Sequence, residues 1–241
     1  MIDTHAHLNE IGDIDRAIQR AKDAGIRSIV AVGMDLASNV TTLDLAEQFP
    51  DMIHPAIGYH PWSISTDTIE ENLEFIEDNL PKCIALGEVG IDYKTKVKKP
   101  VQWEIFSEVL SLAIRHNRPV LVHSRFSHQR SHQMVMDSGI EKAVFHWYTG
   151  SLEILEKIID DGYYVSATPA LAYSPPHQAA IKAAPIERIL VETDSPVEYQ
   201  GKVSEPADLI VTLSELANLK NMESKEVQQI TTSNAKHFFS L

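Results

Sequence analysis

The sequence predicts a (β/α)8 barrel: a closed, parallel eight-stranded sheet ringed by helices. Three observations predict it. The chain has 241 residues, a length that suits one such domain spanning 1–241. Eight short, β-branched apolar runs alternate with amphipathic stretches of helical period. The polar residues within those runs gather near their C-terminal ends, and in a parallel barrel all of these ends open on one face. A doubly wound open sheet is the competing arrangement, but eight units and this placement of polar groups favour closure.

The candidate strands are, in order, MIDTH, SIVAVGM, HPAIGYH, CIALGEVGI, PVLVHS, AVFHWY, YYVSAT and ILVETDSP. They are nearly continuous in apolar character, as strands buried on both faces must be. Between the first two lies DIDRAIQRAKDAG, with Asp13 as N-cap, an apolar stripe through Ile14, Ala17, Ile18 and Ala21, and Gly25 as the stop. DTIEENLEFIEDNLP places Asp67 and Glu70 at capping-box spacing, and Pro81 ends it. VQWEIFSEVLSLAIRHN puts Phe106, Val109, Leu110 and Ala113 on one face. SLEILEKIIDDG starts at the cap Ser151 and stops at Gly162. EPADLIVTLSELANL and KEVQQITTSNAKHFF close the chain as helices.

Composition narrows the function. The formal net charge is −13, and an acidic body repels phosphates at long range, so capture of long duplex DNA is excluded as a main role. Any nucleic-acid contact has to be local. Charge is uneven: TDTIEENLEFIEDNL carries acids only, whereas YKTKVKKP carries Lys94, Lys96, Lys98 and Lys99 after the fourth strand. That loop is a basic rim for a substrate end or simply a solvated loop. Cys83 is the single cysteine, so neither an internal disulfide nor a thiolate metal cluster is available. With no apolar run of membrane-span length and no room for a signal peptide before the first strand, the expected location is the cytoplasm, with no membrane partner.

Charge in a buried parallel strand needs a reason. The first strand ends in His5 and His7, the fourth carries Glu88, the fifth ends in His123, the sixth carries His146 and the eighth ends in Asp194. Each has an ordinary reading: Glu88 as a paired buried acid, His146 as a hydrogen-bonded core histidine, Asp194 as a turn cap. His5 and His7 alternate by two, so on a strand both rings reach one side. Four imidazoles and two carboxylates at one rim suit Zn²⁺, Mn²⁺, Fe or similar divalent ions. Six such groups exceed one open tetrahedral site and suit two ions sharing a carboxylate. His128 and His132, four apart, are expected on the surface of a helix. Trp147 and Tyr148 are base-stacking candidates or core residues.

At these residues the chain resembles the TatD family of metal-dependent deoxyribonucleases, a branch of the amidohydrolase-like barrels. The matching stretches are DTHAHL, GYHP, LGEVGIDY, PVLVHSR, HWYTGS, ETDSP and SNAKHFF, in family order along the chain. The resemblance implies that His5, His7 and Asp194 bind one ion, that His123 and His146 bind the second, and that Glu88 bridges them. It implies Asp194 as the base for an attacking water, with His60 and Arg125 near the substrate phosphate. The two divalent ions would be Zn²⁺, Mg²⁺ or Mn²⁺. The implied activity is hydrolysis of single-stranded or short nucleic-acid ends, exonuclease-like, by a monomer or small homo-oligomer. The second reading keeps the site and changes the bond, as in an amidase, lactonase or deacylase. Three stretches depart from the family: the short, lysine-rich arm after IDY, HSRFSHQRSH after the fifth strand, and Ser204-Glu205-Pro206 in place of Asn-Glu-Pro.

Overall fold

A computed structural model describes residues 1–241. Eight parallel strands pair in chain order: β1 (Ile2–Ala6), β2 (Ser28–Val32), β3 (Ile53–Ile57), β4 (Ala85–Asp92), β5 (Val120–Arg125), β6 (Ala143–Phe145), β7 (Tyr164–Ala167) and β8 (Ile189–Val191). The helices between them are α1 (Ile14–Asp23), α2 (Leu36–Gln48), α3 (Ile69–Asn79), α4 (Lys99–Arg115), α5 (His128–Ser138), α6 (Leu152–Asp160) and α7 (Pro175–Ala183). A two-stranded hairpin, β9 (Glu198–Tyr199) and β10 (Lys202–Val203), precedes α8 (Leu209–Lys220) and α9 (Ser224–Phe239).

Alternation along the strands builds two apolar layers. Ile29 and Ala31 of β2 face the helices, whereas Val30 and Val32 face inward. Inward residues from all eight strands, among them Ile2, Ala56, Leu121 and Leu190, fill the barrel as one cluster. Phe238 of α9 joins that cluster and meets Tyr164 edge-on at 5.2 Å. The N-terminal end of the barrel is thereby plugged, and the C-terminal end is left for polar side chains.

The seam between β1 and β8 is closed mainly beyond the end of β8. Thr4 Oγ1 donates to the Val191 carbonyl at 3.0 Å, Asp194 N to His5 O at 2.9 Å and His7 N to Ser195 O at 2.7 Å. Asp3, fully buried, accepts from Thr193 N at 3.0 Å and from Thr193 Oγ1 at 2.6 Å. One buried carboxyl group therefore ties the first strand to the segment after the last one.

Several local expectations change. Asp67 does not cap α3: Thr68 occupies the N-cap, without a side-chain bond. Asp13 and Ser151 do cap their helices, accepting from Arg16 N and Ile154 N. Helix α2 is nucleated by a reciprocal Asp35–Ser38 capping box, but its Thr and Asn residues blur the helical period. His132 is buried and pairs with Asp161 at 2.7 Å, so only His128 of that pair approaches the surface.

Candidate metal centre

Six buried side chains converge at the C-terminal mouth, and Glu88 lies at their centre. Its Oε2 stands 3.4 Å from His5 Nε2 and 3.4 Å from His7 Nε2. Its Oε1 stands 2.8 Å from His123 Nδ1 and 2.9 Å from His146 Nε2. Asp194 Oδ1 lies 3.6 Å from His5 Nε2 and 3.4 Å from His7 Nε2. The two oxygens of one carboxylate thus divide between two sets of imidazoles. His146 follows β6 by one residue, and Asp194 follows β8 by three, so both sit on loops rather than on the strands the sequence suggested.

The backbone accommodates this convergence at a cost. Asp194 has φ +51 and Trp147 has φ +42, conformations that cost a side-chain-bearing residue about 1–3 kcal/mol. Asp194 is held there by its N–H to His5 and by Val197 N donating to its carbonyl. Gly58 follows β3 directly and lies against the Glu88 main chain, where a Cβ would come within 2.5 Å of the Glu88 carbonyl oxygen. A bare backbone at Gly58 lets the third strand press close to the central carboxylate.

The ring orientations are set from behind. His7 Nδ1 donates to the Val32 carbonyl at 3.0 Å, which turns Nε2 toward Glu88 and Asp194. His146 Nδ1 donates to Glu192 Oε1 at 3.3 Å, and His123 Nε2 lies 3.2 Å from Asp92 Oδ2. Glu192 Oε1 also accepts from Ser166 Oγ at 2.6 Å and Trp147 N at 3.2 Å. Asp92 is steadied by the Trp62 indole N–H at 2.6 Å and by Lys94 N at 2.7 Å. Glu192 and Asp92 lie in the quoted motifs ETDSP and IDY, but no spacing rule marks them as partners of histidines two strands or one strand away.

His60 differs from the other imidazoles. Its Nδ1 accepts from Trp62 N at 3.2 Å, so its proton is on Nε2, which faces Glu88 Oε1 at 3.4 Å. Burial pushes its pKa down to about 4, which keeps the ring neutral. It is a hydrogen-bond donor toward the cluster, and it is buried rather than lining the open cavity. Arg125 is exposed and lines the cavity wall. Tyr148 is core, its hydroxyl donating to the Ser151 carbonyl, whereas half-buried Trp147 lines the cavity.

The donor set fits divalent cations. His5 and His7 aim Nε2 at each other across 3.3 Å, and two ring nitrogens converge that way stably around a shared proton or an ion. No lysine or arginine is paired with Glu88 or Asp194. Burial raises the Glu88 carboxyl, but the charge of His146 and the hydrogen bonds from His123 and His146 outweigh it and hold the pKa well below the usual range. Asp194 behaves alike: burial raises it, but the hydrogen bond from His7 and the charges of the nearby rings outweigh that and lower it. Two ionised carboxylates among four imidazoles in a buried site present the charge and donors that Zn²⁺, Mn²⁺ or Mg²⁺ would take. The cluster opens into a cavity of about 470 Å³ whose mouth carries Trp62, Tyr173 and Arg125.

A parallel barrel with clustered histidines and carboxylates at its C-terminal mouth defines a metal-dependent hydrolase. The chain belongs to the family of TatD-related DNases, whose family model matches residues 2–240. It is 32% identical to the uncharacterized metal-dependent hydrolase YabD of Bacillus subtilis, over 100% of this chain and 99% of that one. It is 28% identical to the 3'-5' ssDNA/RNA exonuclease TatD of Edwardsiella piscicida, over 95% of this chain and 94% of that one. The structure superposes on the TatD homologue YJJV of Escherichia coli with a TM-score of 0.88 and 25% identity, covering 100% of this chain and 98% of that one.

The substitution Glu192→Gln tests the support behind His146. This variant is expected to bind Zn²⁺ or Mn²⁺ about 10- to 100-fold more weakly than the wild type, in chelator-competition titrations of metal-stripped protein, with unchanged far-ultraviolet circular dichroism. An unaltered affinity would show that His146 needs no such carboxylate.

Proposed function

We propose that this chain hydrolyses phosphodiester bonds at the ends of single-stranded nucleic acids, with two divalent ions in its mouth and one hydrolase domain over 1–241. His5, His7 and Asp194 would hold one ion, His123 and His146 the other, and Glu88 both. The observation that carries this reading is the division of the Glu88 carboxylate, Oε2 toward His5 and His7, Oε1 toward His123 and His146. When bound, such ions acidify a coordinated water toward a pKa of about 7 and neutralise charge on phosphoryl oxygens.

The remaining steps belong to the chain. Asp194, held ionised beside His7, accepts the proton of the attacking water. Arg125, on the cavity wall, pairs with a non-bridging phosphate oxygen in bidentate fashion. Neutral His60 donates from Nε2, either steadying Glu88 or meeting an oxygen of the substrate. Trp62, Trp147 and Tyr173 supply aromatic surface for a base next to the scissile phosphate. The cavity volume of about 470 Å³ suits one nucleotide unit rather than a duplex, and the acidic body disfavours duplex at long range.

All six side chains come from one chain, so a monomer suffices for the site. No helix is long and apolar enough to cross a membrane. Cys83, buried and unpaired, supports a reducing, cytoplasmic setting.

The test is a metal-stripped and reconstituted assay. Hydrolysis of single-stranded DNA is expected only with Mg²⁺, Mn²⁺ or Zn²⁺ restored, and faster than that of duplex of equal length. Turnover of lactones or amides with no phosphodiester cleavage under any metal would replace this reading with carbonyl hydrolysis.

A further inference from the structure

A second depression lies at the same end of the barrel, outside the metal cavity. It is formed by Tyr93 after β4, Phe126, His128 and Arg130 after β5, and Ser151 and Ile154 after β6. The end of β5 and the β6–α6 connection lie between the two spaces: Arg125 lines the metal cavity and its neighbour Phe126 lines the groove. Phe126 is 64% exposed. Its backbone sits at φ +56, a conformation unfavourable for a bulky side chain. The ring thus stands largely in solvent on an unfavourable backbone, apart from the packed core, with the cation of Lys94 4.9 Å from its centroid.

Around that ring the charge is opposite to that of the body. Lys94, Arg125 and Arg130 are all exposed here, on a chain of net charge −13. Arg130 lies over the Trp103 ring at 4.5 Å, which fixes where its guanidinium stands. An exposed aromatic face flanked by cations is the composition that tracks a single strand, with bases on the ring and phosphates on the cations. Duplex does not satisfy it, because paired bases present no free face.

We propose that this groove is a second nucleotide subsite, in which Phe126 stacks a base of the strand extending from the metal cavity while Lys94 and Arg130 meet its phosphates. The subsite rests on the phosphodiesterase reading and adds what that reading lacks, a reason for the chain to prefer oligonucleotides over dinucleotides.

Competition binding decides it, with a fluorescein-labelled, phosphorothioate-linked octathymidylate as probe and the unlabelled octamer and dithymidylate as competitors, on full-length protein. Phe126→Ala is expected to weaken the octamer about tenfold or more, with dithymidylate affinity within twofold of the wild type. Phe126→Trp restores the octamer. Lys94→Ala and Arg130→Ala each reduce the slope of log affinity against log salt by about 0.7. Equal octamer affinity in wild type and Phe126→Ala overturns the subsite, as does an equal loss for both ligands. Wild-type protein that binds neither ligand overturns the nucleic-acid reading itself, and the subsite with it.

Discussion

Asp194→Asn is expected to lower phosphodiester turnover at least about a hundredfold, the lower end of what a positioned general base contributes. The substitution is nearly isosteric and keeps one oxygen that can face His5 and His7, but it removes the acceptor for a proton. Asp194 is suited to that task because of a balance of opposing effects. Burial disfavours its charge, while the hydrogen bond from His7 and the nearby imidazoles favour it more strongly. Its Oδ1 remains within 3.6 Å of both His5 and His7 Nε2. The measurement is kcat on a single-stranded oligonucleotide with saturating Mn²⁺, alongside metal content by mass spectrometry. A variant with metal content like the wild type and turnover within tenfold of it would remove Asp194 from the role of base.

Asp3→Ala is expected to destabilise the fold by about 2–4 kcal/mol, because it removes the acceptor of three buried donors at once. Thr193 N and Thr193 Oγ1 both donate to Asp3, and His5 N lies 3.3 Å from its Oδ1. For a chain of this size that loss lowers the thermal midpoint by roughly 5–15 °C. Asp3→Asn keeps one acceptor and is expected to fall between the two. Thr193 adjoins Asp194, and His5 follows Asp3 by two, so the same change loosens both sides of the first donor set, and weaker metal binding accompanies the lower midpoint. A shift below about 2 °C with metal binding intact would mean that the seam is held elsewhere.

The two substitutions probe different levels of the molecule. Asp194 was legible as a charged residue at the end of an apolar run, and Asp3 was not, although it stands in the same opening motif as His5 and His7. An acid beside two histidines invites a ligand reading. In the structure Asp3 turns to Thr193, 190 positions away, and serves barrel closure. Simple alternation would put Asp3 on the same side as His5 and His7; the pairing of β1 with β2 shifts register between Asp3 and Ala6, and that irregularity is visible only once the partner segments are in place.

The eight strands were legible because burial on both faces demands uninterrupted apolar residues, and so charge within them stands out. The capped helix with a clean stripe, α1, was legible for a similar local reason; in α6 the Ser151 cap was legible, but the buried face is Ile154, Leu155 and Ile158, with Leu152 exposed. Helix α7 was harder to see, as it is short, begins with Pro175 and Pro176, and buries only a few residues, His177 among them. The capping box assigned to Asp67 failed because spacing alone cannot tell which of Asp67 and Thr68 the chain uses to enter the helix.

What the amino-acid sequence determined by itself is the parallel barrel and the set of chemical groups at its mouth, since periodicity and misplaced charge are local properties. What only the tertiary structure decided is how those groups divide: Glu88 with one oxygen to each set of histidines, His60 as a neutral donor, Glu192 and Asp92 as the carboxylates behind His146 and His123. The outward-facing Phe126 beside Lys94 belongs to the same group. Each of these depends on the direction of a side chain relative to a neighbour many residues away, and that direction exists only once the sheet has closed on itself.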